Sequence, residues 1–94
     1  MDTLSVATPE EQKVRAQQVL QTLQLPPEIS GIDIRLGTDS VGEAALWLSF
    51  HVRPEIVASK PEVEKLTRFA AEVQSKLFES GILLFPYTTL EQAA

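Results

Sequence analysis

Between Gly31 and Arg53 the chain holds two runs, separated by a turn-forming segment, in which one side is aliphatic at every second position, and between Lys60 and Glu79 the apolar residues recur at every third or fourth. In the first run Ile32, Ile34 and Leu36 share one side, with Asp33, Arg35 and Gly37 on the other. In the second, Leu46, Leu48, Phe50 and Val52 share a side, with Ala45, Trp47, Ser49, His51 and Arg53 opposite. A period of two belongs to a half-buried strand, because successive side chains point to opposite faces. The segment Thr38-Asp39-Ser40-Val41-Gly42-Glu43 carries turn formers, so the two runs are expected to form an antiparallel hairpin with one aliphatic face, ended by Pro54. The slower period begins at Ser59-Lys60-Pro61-Glu62, where Ser and Glu have capping-box spacing. Val63, Leu66, Ala70, Val73 and Leu77, widened by Phe69 and Phe78, then give a helix with an apolar face broad enough to lie along a sheet, and Gly81 stops it.

Two further elements frame this unit. Thr8-Pro9-Glu10-Glu11 combines a Thr N-cap, a Pro at the first helical position and a Glu three residues after the cap, and the stripe Ala16, Val19, Leu20, Leu23 follows; Pro26 and Pro27 require the helix to end near Gln24. After Gly81, Ile82-Leu83-Leu84-Phe85 is apolar on both faces and is expected to be a third strand. Pro86 cannot donate to a ladder, which makes that strand an edge or a bulged one. The expected fold is therefore α+β: a two-layer α-β-β-α-β sandwich, with a small mixed three-stranded sheet and both helices on one face. Residues 1–7 are expected as a tail, 8–90 as one domain and 91–94 as a second tail.

Composition removes several kinds of chemistry. With no cysteine there is no disulfide, thiolate nucleophile or thiolate metal site, which suits a reducing cytoplasm. Thirteen acidic against eight basic residues give a net charge of −5, which opposes phosphate backbones and anionic lipid. The longest apolar runs are far short of the roughly 20 residues that span a bilayer. One histidine cannot build a His-rich metal site, and single glycines at 31, 37, 42 and 81 match no phosphate-cradling loop, so no metal or cofactor is expected. Asp39 and Glu43 could ligate a cation, but an Asx turn before Gly42 accounts for both residues without one.

What remains is the sheet face that two helices on one side would leave uncovered. Its expected occupants are Asp33, Arg35, Trp47, Ser49, His51 and Arg53, with Leu83, Phe85 and Tyr87 contributed by the third strand. A Trp amid polar neighbours suits an interface, where Trp and Arg are enriched. Ser49, His51 and Asp33 also invite a hydrolase reading, but residues i and i+2 on a strand stand about 7 Å apart, too far for a direct Ser–His hydrogen bond.

The string α-β-β-α-β is similar to a KH type II module, which implies RNA binding, although the GxxG clamp is absent and the basic residues are scattered. It also resembles the cytoplasmic domain of cation-diffusion facilitators, without that family's metal-binding histidines. Asp39-Ser40-Val41-Gly42-Glu43-Ala44-Ala45-Leu46-Trp47, together with Phe85-Pro86-Tyr87-Thr88 and Glu91-Gln92, resembles a group of small bacterial proteins with a D-S-x-G-[DE]-x-A turn entering an aromatic strand and a P-Y strand near the C-terminus. That resemblance implies a companion or antitoxin-like role beside a HEPN-type partner. The expected function is a non-catalytic interaction or oligomerisation module that forms a homodimer or binds a protein partner, with KH-like nucleic-acid binding and a small Ser49/His51 hydrolase as alternatives.

Overall fold

The computed structural model describes residues 8–54 and 60–92. The elements are α1 (Pro9–Gln21), β1 (Ile29–Thr38), β2 (Ala44–Val52), α2 (Lys60–Glu79) and β3 (Phe85–Gln92). Ser59, residues 1–7 and residues 93–94 lie outside the described residues. The first capping box forms as expected: the Glu11 N–H donates to Thr8 Oγ1 at 3.2 Å, and the Thr8 N–H donates to Glu11 Oε1 at 3.0 Å. The helix closes at Thr22, a little before the expected stop, where the Thr22 hydroxyl donates to the Val19 carbonyl.

The sheet has the order β1-β2-β3, with β2 antiparallel to β1 and parallel to β3. The α2 crossover is what allows the parallel pairing, since a parallel neighbour cannot be reached by a tight turn. Leu46, Leu48, Phe50 and Val52 of the central strand are almost fully buried, in one cluster with Ala16 of α1 and Leu66, Ala70, Val73 and Leu77 of α2. Phe50 packs on Phe69 with ring centres 5.8 Å apart. Both helices thus lie on the aliphatic side, as the periodicity requires. The hairpin turn is held by Asp39, whose Oδ1 accepts the N–H groups of Val41 and Glu43, each at 3.0 Å. Gly42 supplies the positive φ of 83° that the turn needs.

The third strand is displaced from its expected position. Ile82, Leu83 and Leu84 precede β3, which starts at Phe85 and continues through Glu91 and Gln92, residues expected in the tail. The reason lies in the end of α2. The Gly81 N–H bonds the Phe78 carbonyl and the Ile82 N–H bonds the Leu77 carbonyl, a Schellman cap with Gly81 at φ 86°. Ile82 and Leu77 are both buried and provide the apolar contact that accompanies this cap. The next two N–H groups, of Leu83 and Leu84, both donate to Oε1 of the buried Gln12 on α1, at 2.8 and 3.0 Å. The apolar run is therefore consumed by a helix cap and a pinned connection. Pro86 does sit on an edge strand: its carbonyl accepts from Gln74 Nε2 at 2.7 Å, so its donor-less nitrogen falls on the side turned away from β2.

Candidate functional site: the uncovered face of the sheet

The register brings the expected residues into three short rows. Arg35, Trp47 and Tyr87 are neighbours across the strands; Asp33, Ser49 and Thr89 form the next row, and Gly31, His51 and Glu91 the last. Below them Gly37, Ala45 and Phe85 complete the face. The face has an aromatic end and a charged end.

At the aromatic end Trp47 stacks on Tyr87, with ring centres 4.6 Å apart and planes 18° from parallel. Tyr87 in turn meets Phe85 at 4.6 Å, and Phe85 meets Phe78 of α2 edge-on at 6.2 Å. Four rings form a continuous row, and two of them, Phe78 and Phe85, are about half exposed at 47% and 49%. Sequence reasoning placed Trp47 on this face but missed what it leans on. A Cβ on Gly37 would stand 3.0 Å from Trp47 Cδ1 and 3.1 Å from Nε1, so the absence of a side chain at 37 is what lets the indole settle over β1. Ala45, also on this face, is fully buried. Arg35 is exposed beside Trp47, and the ring against the indole is Tyr87.

At the charged end His51 Nε2 lies 2.6 Å from Asp33 Oδ2, and Nδ1 lies 3.8 Å from Glu91 Oε2. One imidazole is thus flanked by carboxylates from both neighbouring strands, with Asp33 75% exposed and Glu91 54%. The Thr89 hydroxyl donates to Ser49 Oγ at 3.5 Å. Glu91 gave no signal by itself, because its role depends on a parallel register that links positions 40 apart in sequence.

Two expected residues are elsewhere. Arg53 lies one residue past β2, where its Nε donates to the Pro27 carbonyl at 2.7 Å and its N–H to the Glu28 carbonyl at 3.0 Å, tying the end of the hairpin to the loop after α1. Leu83 belongs to the α2–β3 connection and is 71% exposed. Among the described residues no group of His, Asp and Glu side chains could hold a metal ion, and no helix is long and apolar enough to cross a membrane.

No protein-family profile and no curated protein matches this sequence. Among solved structures the chain is similar to a domain of phenylacetate-coenzyme A ligase from Bacteroides vulgatus ATCC 8482, with a TM-score of 0.54 and 18% identity over 86% of this chain and 70% of that one. The likeness is one of fold, and it supports the small α+β architecture.

Proposed function

We propose that this chain is a non-catalytic protein–protein interaction module that docks a protein partner through the uncovered sheet face, working in the cytoplasm as the small component of a larger assembly. The observation that carries this reading is the four-ring row that runs from Trp47 and Tyr87 on the uncovered face to the half-exposed Phe85 at its edge, where the half-exposed Phe78 of α2 meets it. Aromatic anchors bordered by charged groups are the composition of an interface centre and its rim. The Asp33–His51–Glu91 cluster supplies the polar rim on one side and Arg35 on another. The companion role implied by the D-S-x-G-[DE]-x-A resemblance fits such a surface.

A hydrolytic reading draws less support. Both ring nitrogens of His51 face carboxylates, and Ser49 Oγ accepts from the Thr89 hydroxyl, so the base has no nitrogen directed at the nucleophile. Nucleic-acid binding would bring phosphate against Asp33 and Glu91 on a chain of net charge −5.

The reading is tested with the double variant Trp47→Ala/Phe85→Ala in affinity capture from the native host. A specific partner retained by the parent chain and lost by the variant, whose far-ultraviolet spectrum is unchanged, supports it. Equal retention of every captured protein by both would refute it.

A further inference from the structure

The sheet has two outer edges, and the chain treats them differently. At the β3 edge Pro86 removes a donor and Gln74 occupies the Pro86 carbonyl. The β1 edge has neither device: Ile29–Thr38 is ten residues long, without proline or lysine, and its register irregularity lies at its start, between Ile29 and Gly31. Natural sheets normally blunt such an edge with charge, proline or a bulge; here the two charges, Asp33 and Arg35, are of opposite sign, and the irregularity is confined to the strand's first residues.

The direction of its free backbone groups follows from the hairpin. The Asp39 N–H points across to the Glu43 carbonyl at 2.9 Å, so the odd-numbered residues of β1 turn their polar groups toward β2. Ile32, Ile34, Leu36 and Thr38 then present theirs outward. A groove between α1 and β1, lined by Gln17, Leu20, Gln21, Leu25 and residues 32–34, opens onto this strand. Ile32, Ile34 and Leu36 are only half-buried, while Leu46, Leu48 and Phe50 on the neighbouring strand are 0–1% exposed.

We propose that β1 pairs antiparallel with β1 of a second copy of this chain, about a two-fold axis at Ile34, to give a continuous six-stranded sheet. The charges single out that register. With Ile34 opposite Ile34, Asp33 lies opposite Arg35 of the second copy and Arg35 opposite its Asp33, on the uncovered face. These are non-hydrogen-bonded pairs, in which side chains stand closest. The outward groups of Ile32, Ile34 and Leu36 meet their counterparts in register, and the three half-buried aliphatics gain apolar neighbours. Moving the axis to residue 33 sets Asp33 against Asp33, and moving it to residue 35 sets Arg35 against Arg35, so both adjacent registers are opposed by like charges. Among the described residues Arg35 makes no ion pair within its own chain, and an acidic partner is what it lacks. This dimer leaves the Trp47 rows side by side on one face and does not depend on the docking role proposed above.

Light scattering on the purified chain tests it. The parent chain is expected to have the mass of two copies, Arg35→Asp to dimerise at least about tenfold more weakly, and the charge swap Asp33→Arg/Arg35→Asp to recover the dimer. The cysteine-free background adds a test that is independent of charge recovery. An oxidised mixture of Asp33→Cys and Arg35→Cys chains should form a disulfide-linked heterodimer, and neither chain alone should do so. A monomeric parent would overturn the proposal. So would a dimer indifferent to Arg35→Asp, or one abolished by Trp47→Ala/Phe85→Ala instead, which would place self-association on the open face.

Discussion

The indole of Trp47 lies flat on the phenol ring of Tyr87, 4.6 Å between centres, although the two residues are 40 positions apart and meet only because β3 runs parallel to β2. This contact organises the aromatic end of the sheet. Removing the phenol ring with Tyr87→Ala is expected to shift Trp47 emission to longer wavelength, raise its quenching by acrylamide and lower stability by about 1–3 kcal/mol, the scale of the two ring pairs it makes with Trp47 and Phe85. The far-ultraviolet spectrum should not change, because both rings lie outside the buried core.

Gly37 makes an opposing pair of expectations. Strand propensity alone would make Gly37→Val stabilising. The 3.0 Å approach to Trp47 Cδ1 argues the reverse: Gly37→Val should displace the indole, weaken the near-ultraviolet dichroism of Trp47 and destabilise the fold by about 1 kcal/mol. In a Trp47→Ala background the same substitution should become neutral or stabilising, and a double-mutant cycle by urea denaturation measures the difference.

Gln12 is a polar residue placed in the core for its oxygen. Gln12→Leu conserves approximate volume but strands the N–H groups of Leu83 and Leu84, and should cost about 1–3 kcal/mol in denaturant unfolding. Gln12→Glu retains the acceptor, and its cost should be smaller at acidic pH, where the buried carboxyl is neutral, than near neutral pH, where a charge must be buried.

The Lys65–Glu28 ion pair gives stability a pH window. Its hydrogen bond to Lys65 holds the Glu28 carboxyl below its ordinary value of 4.5, and the same bond holds Lys65 above 10.5. A lowered acid binds more protons when unfolded, so its contribution is present above about pH 4.5 and is lost as pH falls through the lower folded value. A raised base contributes fully below about pH 10.5 and loses that contribution as pH rises through the higher folded value. The stability gap between the parent and Lys65→Met, measured by urea denaturation across pH, should be widest between these limits and narrow at both ends.

The parts of the fold legible in the sequence are those set by local pattern. Period-two alternation placed Trp47, Ser49 and His51 on one face because alternation is a geometric property of the strand itself. Capping residues marked α1, and the Asp39 turn followed from its side-chain chemistry. The third strand was misplaced because Ile82 and Leu84 are apolar for a helix cap and a buried connection, while β3 itself, at an edge, is largely polar. Arg53 looked like a continuation of the alternation, yet β2 had already ended and its guanidinium turned to the Pro27 carbonyl. Gln12 carried no periodic signal, since its partners lie 71 and 72 residues away.

The claim that the uncovered face is the docking surface is tested most directly by site-specific photocross-linking in the native host, with a benzophenone amino acid at position 85 on the aromatic row or at position 75 on the exposed side of α2. A discrete cross-linked protein species is expected from position 85 and none from position 75. The same species from position 75, with none from position 85, would contradict it.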